Sequence, residues 1–577
     1  MAEYLSPGVY VEEFESGAKP MEGVGTSTAG FIGLAERGPV EGVPQLVTNP
    51  ADFHRMYGGY LSENEFGEYR YLAYAVEQYF LNGGTRCFIS RVAPKDAACS
   101  VGYAPSKEEA AVMLTAKNPG AWGDNIRVVI TPASKAKTQV LEVVETQEGK
   151  KYLVKNGAGF NSGDIVMYTN QSTVVYNRVV KNRDNIISFQ DEFDDSVVDK
   201  NLLPTKVLTT CEFAIEVSHD GNTEFYDNLS FNIEAANYVD KKLAKSDLIE
   251  ATYTGKQGAE AIPPFEEIAG AGAAVATIGL MGGSNGSVSS ITASEFVGED
   301  RGAGHRTGIQ SFLDNDVVSL MAVPGVVDPN VQIMLVAHCE GTGSRFAVLD
   351  MPKDAKKVQD IINHRDIFDS NYAALYHPWV TVFDPLDKKN FSIPPSGSIL
   401  GIYARSDNSR GVHKAPANEV VRGCVGLECQ FNKGEQDILN PKGVNLIRSF
   451  PGLGIRVWGA RTATSNGSWK YINVRRLFIF IEESIKANTS WAVFEPNDEV
   501  LWVRVQRTIS VFLNNLWRGG SLAGTSPEEA FFVNIGRDTM SQDDIDNGRL
   551  VCVIGVAPVK PAEFVIFRIS QKTSDAE

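Results

Sequence analysis

Apolar residues recur with the period of a helix in one stretch above all others. Val474, Leu477, Phe478, Ile481 and Ile485 fall at i, i+3, i+4, i+7 and i+11. Ile479 and Phe480 widen this stripe, and Arg475, Arg476, Glu482, Glu483 and Lys486 occupy the other sides. Trp491, Val493 and Phe494 then predict a short buried strand, ended by Glu495-Pro496-Asn497-Asp498. A second helix starts there, capped by Asn497 or Asp498 and closed by Gly519-Gly520 behind Arg518. Its apolar positions are Trp502, Val505, Ile509, Phe512, Leu513 and Leu516. Two amphipathic helices flanking a strand predict a packed α/β unit, and nothing in them suggests a catalytic site.

Earlier in the chain the pattern alternates between strand and helix. Residues 26–35 and 45–48 read as strands, and Asn49-Pro50 opens a helix carrying Phe53, Met56 and Tyr57. Leu72, Ala75, Val76, Tyr79 and Phe80 mark another helix, and 86–92 a buried strand. Residues 93–276 change character, with short β-like runs at 140–144, 164–168, 174–180, 186–189, 207–210 and 213–217 between polar turns. That spacing predicts a small β-rich, barrel-like module inserted into the α/β core. The alternation resumes with helices near 309–315, 331–340 and 356–366 and strands at 317–325, 345–352 and 373–385. Short loops and continuously apolar strands predict a parallel sheet covered on both faces.

The two ends read differently. Val9, Tyr10, Val11, Glu12 and Glu13 form a strand pattern with nothing local to pair against, behind Pro7. Near the other end, 549–557 reads as a buried strand, and Pro558 and Pro561 interrupt pairing. Residues 562–570 follow, with Phe564 and Ile566 on one face and Val565, Phe567 and Ile569 on the other, around Arg568. An unpaired strand of that kind is an aggregation hazard, so it calls for a partner.

At 577 residues the chain is too long for one core, and 43% hydrophobic with 22% charged residues is a globular composition. With 54 basic against 71 acidic residues the net charge is −17, the wrong sign for a protein that tracks phosphates, so nucleic acid is not an expected partner. No apolar run reaches the roughly 18 residues of a membrane helix. MAEYLSPGVYVEEF lacks the regions of a signal peptide, so synthesis in the cytoplasm and no membrane insertion are expected. Seven scattered cysteines suit reduced buried thiols better than a disulfide framework.

Candidate chemistry is thin. Gly282-Gly283-Ser284-Asn285-Gly286 fits the nucleophile elbow of serine hydrolases, but residues 287–290 make a poor helix start, and a glycine-rich loop is the better reading. The P-loop pattern is absent. Cys424 and Cys429 lie near His377 and His413 in sequence, yet a zinc site wants close ligand pairs, and buried thiols fit better. His338 and His364 are expected to be satisfied by hydrogen bonds. Neither a cofactor nor a metal is expected.

From residue 441 onward the chain resembles the contractile tail sheath family of phages and phage-derived injection machines. The resemblance lies in NLIRSFPGLGIRVWGARTAT (445–464), YINVRRLFIFIEESI, VFEPND, LWRGGSLAG, EEAFFV, DIDNGRL and APVKPAEFVIFRISQ, in that order. PPSG, GIYARSD and RGVHKAPAN within 391–418 and the opening SPGVYVEE extend it, and 139–199 lies outside it. The resemblance implies a non-enzymatic structural subunit, stacked as six-subunit rings in a helical sleeve around an inner tube, with baseplate and tail-terminator proteins as further partners. It also implies that Val9–Glu13 and Phe564–Ile569 are strand arms exchanged between subunits. The expected organisation is an arm (1–22), an α/β core in two segments (23–95 and 277–440), an inserted β-rich domain (96–276) and a C-terminal α/β domain ending in a strand arm (441–577).

Overall fold

Strands that are apolar at every position are satisfied only between two covering layers. In the computed structural model, which describes residues 21–147, 149–170, 173–193, 206–255, 261–566 and 568, such strands form the middle of a nine-stranded sheet. Its members are β1 (Ala29–Leu34), β2 (Gln45–Val47), β3 (Cys87–Val92), β4 (Leu320–Ala322), β5 (Phe346–Asp350), β6 (Ala373–His377), β7 (Glu419–Val420), β8 (Val444–Phe450) and β9 (Gly454–Val457). In the order β2-β3-β1-β4-β5-β6-β8-β9-β7, the strands from β3 to β8 are parallel and the ends antiparallel. Phe31, Leu320, Phe346, Val348, Ala374 and Tyr376 face one apolar cluster. Their neighbours Ile32, Met321, Ala347, Leu349 and Leu375 face the other.

Helices α1 (Pro50–Tyr57) and α2 (Leu72–Asn82) follow the sequence pattern, with the Asn49 side chain accepting from Asp52 N–H at the start of α1. Helices α3 (Pro329–Thr342) and α4 (Val358–Arg365) cover the second face of the sheet. Helix α5 (Ser396–Arg410) joins α2 on the first face, and no amphipathic stripe announces it because almost every side of its first nine residues is buried. Gly397 and Gly401 let it press onto α2: a Cβ there would lie 2.3 Å from Ala75 O and 2.4 Å from Tyr79 O.

Several expected elements come out shorter. Residues 309–315 form a 3-10 turn, Gly308–Asp314, instead of an α-helix. The run 373–385 divides: Pro378 has no N–H for a ladder, and Val380–Asp384 pairs in a separate three-stranded sheet with Lys389–Ile393 and Gly426–Leu427. In the β-rich region, Lys137–Thr146, Gly149–Val154, Ile165–Asn170, Thr173–Arg183, Ile186–Phe189 and Val207–Thr210 close into a barrel, as the turn spacing predicted. Val140, Tyr152, Val166, Tyr168, Ile187 and Leu208 fill its interior. It stands on a four-stranded sheet (Arg127–Ala133, Glu212–His219, Asn222–Leu229, Ala276–Gly279), where Lys135 bridges Asp164 at 2.7 Å and Glu212 at 3.3 Å.

Toward the C-terminus, α6 (Ile472–Thr489) and α7 (Glu499–Arg518) pack through Leu477, Ile481, Trp502, Val505, Ile509, Phe512 and Leu513. Asp498 caps α7, accepting from Leu501 N–H at 2.9 Å. The strand expected at 491–494 is absent: Ser490–Ala492 is a 3-10 turn, and Phe494 stands fully exposed with φ 67°. No strand among the described residues lies beside it, and the segment reverses the chain between two helices. Arg475 and Arg476, expected on a polar face, are both buried. Arg475 stacks on Trp469 and Tyr372, and Arg476 pairs with Asp407 of α5.

Candidate assembly surface

Beyond α7, β10 (Phe531–Ile535) and β11 (Cys552–Val556) form an antiparallel two-stranded sheet. Alternation turns Phe531, Val533, Ile535, Cys552, Ile554 and Val556 onto the apolar cluster around α7. Phe532 and Val553 point outward, 50% and 44% exposed. Gly555 lies opposite Phe532, and a Cβ on it would meet the ring at 2.2 Å, so glycine lets the aromatic lie across the pair. Among the described residues no further strand joins either edge. The opposite face of α7 is also outward, with Val500, Val503, Arg507, Val511 and Arg518 exposed and Arg504 stacked on Trp491.

After β11 the chain returns across the start of α6. Asn473 Nδ2 donates to Val559 O at 3.2 Å, and Val559 N–H donates to Ser521 O. Glu563 is then held by Arg461 through Nε and Nη2, each at 2.8 Å, by Asn440 Nδ2 at 2.7 Å and by Tyr471 OH at 3.1 Å. Burial works to raise the Glu563 carboxyl, but the Arg461 and Asn440 hydrogen bonds outweigh it and hold the group below the usual carboxylate range. Immediately beyond this anchor, Phe564, Val565 and Ile566 are 72%, 69% and 79% exposed and, among the described residues, pair with no strand. Arg568 is exposed as well; Phe567 and Ile569 lie outside the described residues. Among the described residues, 562–566 form no strand of the subunit's own sheets.

The other terminal segment emerges along α6. Asn488 exchanges hydrogen bonds with the backbone of Glu22, and the Ser484 hydroxyl accepts from Val24 N–H at 3.1 Å. The Phe480 ring lies against Gly23, and Arg476 donates to Thr26 O at 3.0 Å while Thr26 Oγ1 donates to Asp407 at 2.6 Å. Val9, Tyr10, Val11, Glu12 and Glu13 lie outside the described residues.

The serine and cysteine motifs do not assemble into a reactive site. Ser284 bridges Ala98 through its backbone, its Oγ accepts from Gly286 N–H, and the 3-10 turn Val288–Ser290 follows where an elbow requires a helix. Cys429 lies 3.8 Å from His377, whose burial holds it down to about 4. Among the described residues, no group of three His, Cys, Asp or Glu is placed to hold a metal ion. His338 and His364 are satisfied by Arg345 and Gln332. No helix among the described residues is long and apolar enough to cross a membrane.

Two family profiles match adjoining parts of the chain: the phage tail sheath protein central domain over residues 301–463 and the phage tail sheath C-terminal domain over 464–572. A prophage major tail sheath protein of Pseudomonas aeruginosa is 25% identical over 291 residues, 48% of this chain and 72% of that protein. Among solved structures, the contracted sheath complex of the extracellular contractile injection system PVC is 21% identical, with a TM-score of 0.51 over 99% of both chains. The contracted helical sheath of the anti-feeding prophage is 22% identical, with a TM-score of 0.51 over 98% of this chain and 99% of that one. At such identities the two structures bear on fold, and they do so across nearly the whole chain.

Proposed function

We propose that this chain, which belongs to the contractile tail sheath family, is a structural subunit of a helical sleeve built from stacked six-subunit rings around an inner tube. Contraction of the sleeve drives that tube through a target envelope. The observation that carries the reading is the β10–β11 sheet. Two strands alone are marginal, and open edges are templates for pairing. Val9–Glu13 of one copy and Phe564–Ile569 of another would complete it. A contact in which each copy gives to one neighbour and receives from another does not close on a dimer, and propagates as rings or helices.

Phe564, Val565 and Ile566 stabilise such a joint by about 1.5–3 kcal/mol each on burial. The outward face of α7 fits the inner tube: three valines beside Arg507 and Arg518 make an apolar, basic stripe on a chain of net charge −17, complementary to an acidic partner. Baseplate and terminator proteins would meet the sleeve ends. The free energy of contraction resides in the difference between two sets of subunit contacts. The arms (1–22 and the residues after Glu563) stay joined while the core segments (23–95 and 277–440) and the outer β-rich region (96–276) move as bodies.

Cysteine crosslinking tests the exchange. With the native cysteines replaced, Ile566→Cys is combined with Val553→Cys or with Asn534→Cys, one on each strand of the receiving sheet. Assembled sleeves oxidised and run under denaturing conditions should give ladders of many subunits from at least one combination. Bridges confined to single chains, or none in intact sleeves, would overturn it.

A further inference from the structure

One helix receives both ends of the subunit. Along α6, Arg476, Phe480, Ser484 and Asn488 recur every four residues, forming a single ridge. Each contacts the extended segment 22–26: Asn488 at Glu22, Ser484 at Val24, Phe480 at Gly23 and Arg476 at Thr26. Ser484 is fully buried beneath that segment, and Arg476 is locked by Asp407 with side chains 3% and 4% exposed. At the other end of the helix, Tyr471 reaches Glu563 and Asn473 reaches Val559 O, while the backbone beside Tyr471 bridges Arg461, the residue that grips Glu563 with two hydrogen bonds. At about 1.5 Å per residue, Asn488 at one end of the helix and Tyr471 at the other lie about 25 Å apart along a rigid rod.

We infer that α6 is the strut that joins the two arms of a subunit, with Ser484 and Asn488 positioning the N-terminal arm and Glu563 positioning the C-terminal one. Tension arriving from one neighbour through the first arm passes along α6 to the second arm and on to the next neighbour. The nine-stranded sheet, joined to α6 through Ile472 and Ile479 in its first apolar cluster and through segment 22–26 leading into β1, is carried with it. This rests on the arm-exchange reading, and adds that the direction in which each arm leaves is set by its seat and not by the arm's own sequence.

The test uses the full-length protein, with yield of intact sleeves by sedimentation and electron microscopy and thermal melting of the unassembled subunit as readouts. Ser484→Ala with Asn488→Ala, and separately Glu563→Gln, should each lower sleeve yield at least tenfold while the subunit melts normally. Because the seats act in series, combining the variants should lower it little further. The exchanged pair Arg461→Glu with Glu563→Arg should recover sleeves that Glu563→Arg alone loses. Wild-type yield from both seat variants, effects that multiply when combined, or loss explained by unfolding without recovery in the exchanged pair would overturn the strut. Deleting 564–577 separates the two ideas. Normal sleeves from that deletion would overturn arm exchange itself, whereas loss there with normal sleeves from the seat variants would overturn only the strut.

Discussion

The nine-stranded sheet and the β10–β11 sheet solve the same problem to different degrees. In the first, both faces are covered by helices, and the edges end in β2 and β7, three and two residues long. Every strong pairing surface is used within the chain. In the second, one face packs on α7, the other leaves Phe532 and Val553 exposed, and no further strand among the described residues joins either edge. One sheet is complete at the level of the subunit, and the other is the sheet that the proposed arms would complete. A mutation in the first should therefore read out as folding, and one in the second as association.

The largest contrast is expected from Phe564→Asp. Charge on a side chain that is 72% exposed in its own subunit should leave thermal melting unchanged and abolish sleeves in electron micrographs; a folded variant that still assembles would break the comparison. Leu375→Ala probes the complete sheet. The side chain is fully buried on β6, so about 2–5 kcal/mol of stability should be lost in denaturant unfolding.

Asp350 sharpens the same side. Its carboxylate accepts from Ser396 N–H at 2.9 Å, Ser396 Oγ at 2.7 Å and Gly325 N–H at 3.1 Å, tying β5 to α5. Burial nonetheless pushes it up to about 6, against those hydrogen bonds. A raised carboxyl means that the native state holds its proton longer than the unfolded chain. This group therefore favours folding below pH 4, and its contribution is lost between pH 4 and 6. Relative to wild type, Asp350→Asn should gain about 2 kcal/mol on going from pH 4 to pH 7, seen as the difference between two stability-versus-pH curves. A constant difference would show that the group does not titrate in that window.

The smallest effect is expected from removing the barrel. Thr210 N–H donates to Ala136 O at 2.9 Å, so a short Gly-Ser link can join Ala136 to Thr210 in place of residues 137–209. Sleeves should still form, with melting shifted by a few degrees at most; loss of all sleeves from a folded protein would give the barrel a part in the lattice.

Local pattern determined much of this protein. The stripes of α6 and α7, the Asn49 and Asp498 caps, five of the six barrel strands (all but Gly149–Val154) and the continuously apolar β5 and β6 were legible because each depends on periods of 3.6 or 2 residues or on one capping side chain. The cluster of family motifs was legible too. Other features depended on contacts between residues far apart in sequence. Helix α5 has no polar face to betray it, since two glycines sink it against α2. Trp491, Val493 and Phe494 have strand-forming side chains, but a strand exists only where another lies beside it, and none among the described residues does. Arg476 reads as a surface cation until Asp407, 69 positions earlier, and the backbone of Thr26, 450 earlier, enclose it. Glu563 is one acid among many in the sequence; Arg461, Asn440 and Tyr471 make it the point where the chain turns outward. Periodicity reports which side of an element is apolar, and only the folded chain decides what that side, or a buried charge, is brought to meet.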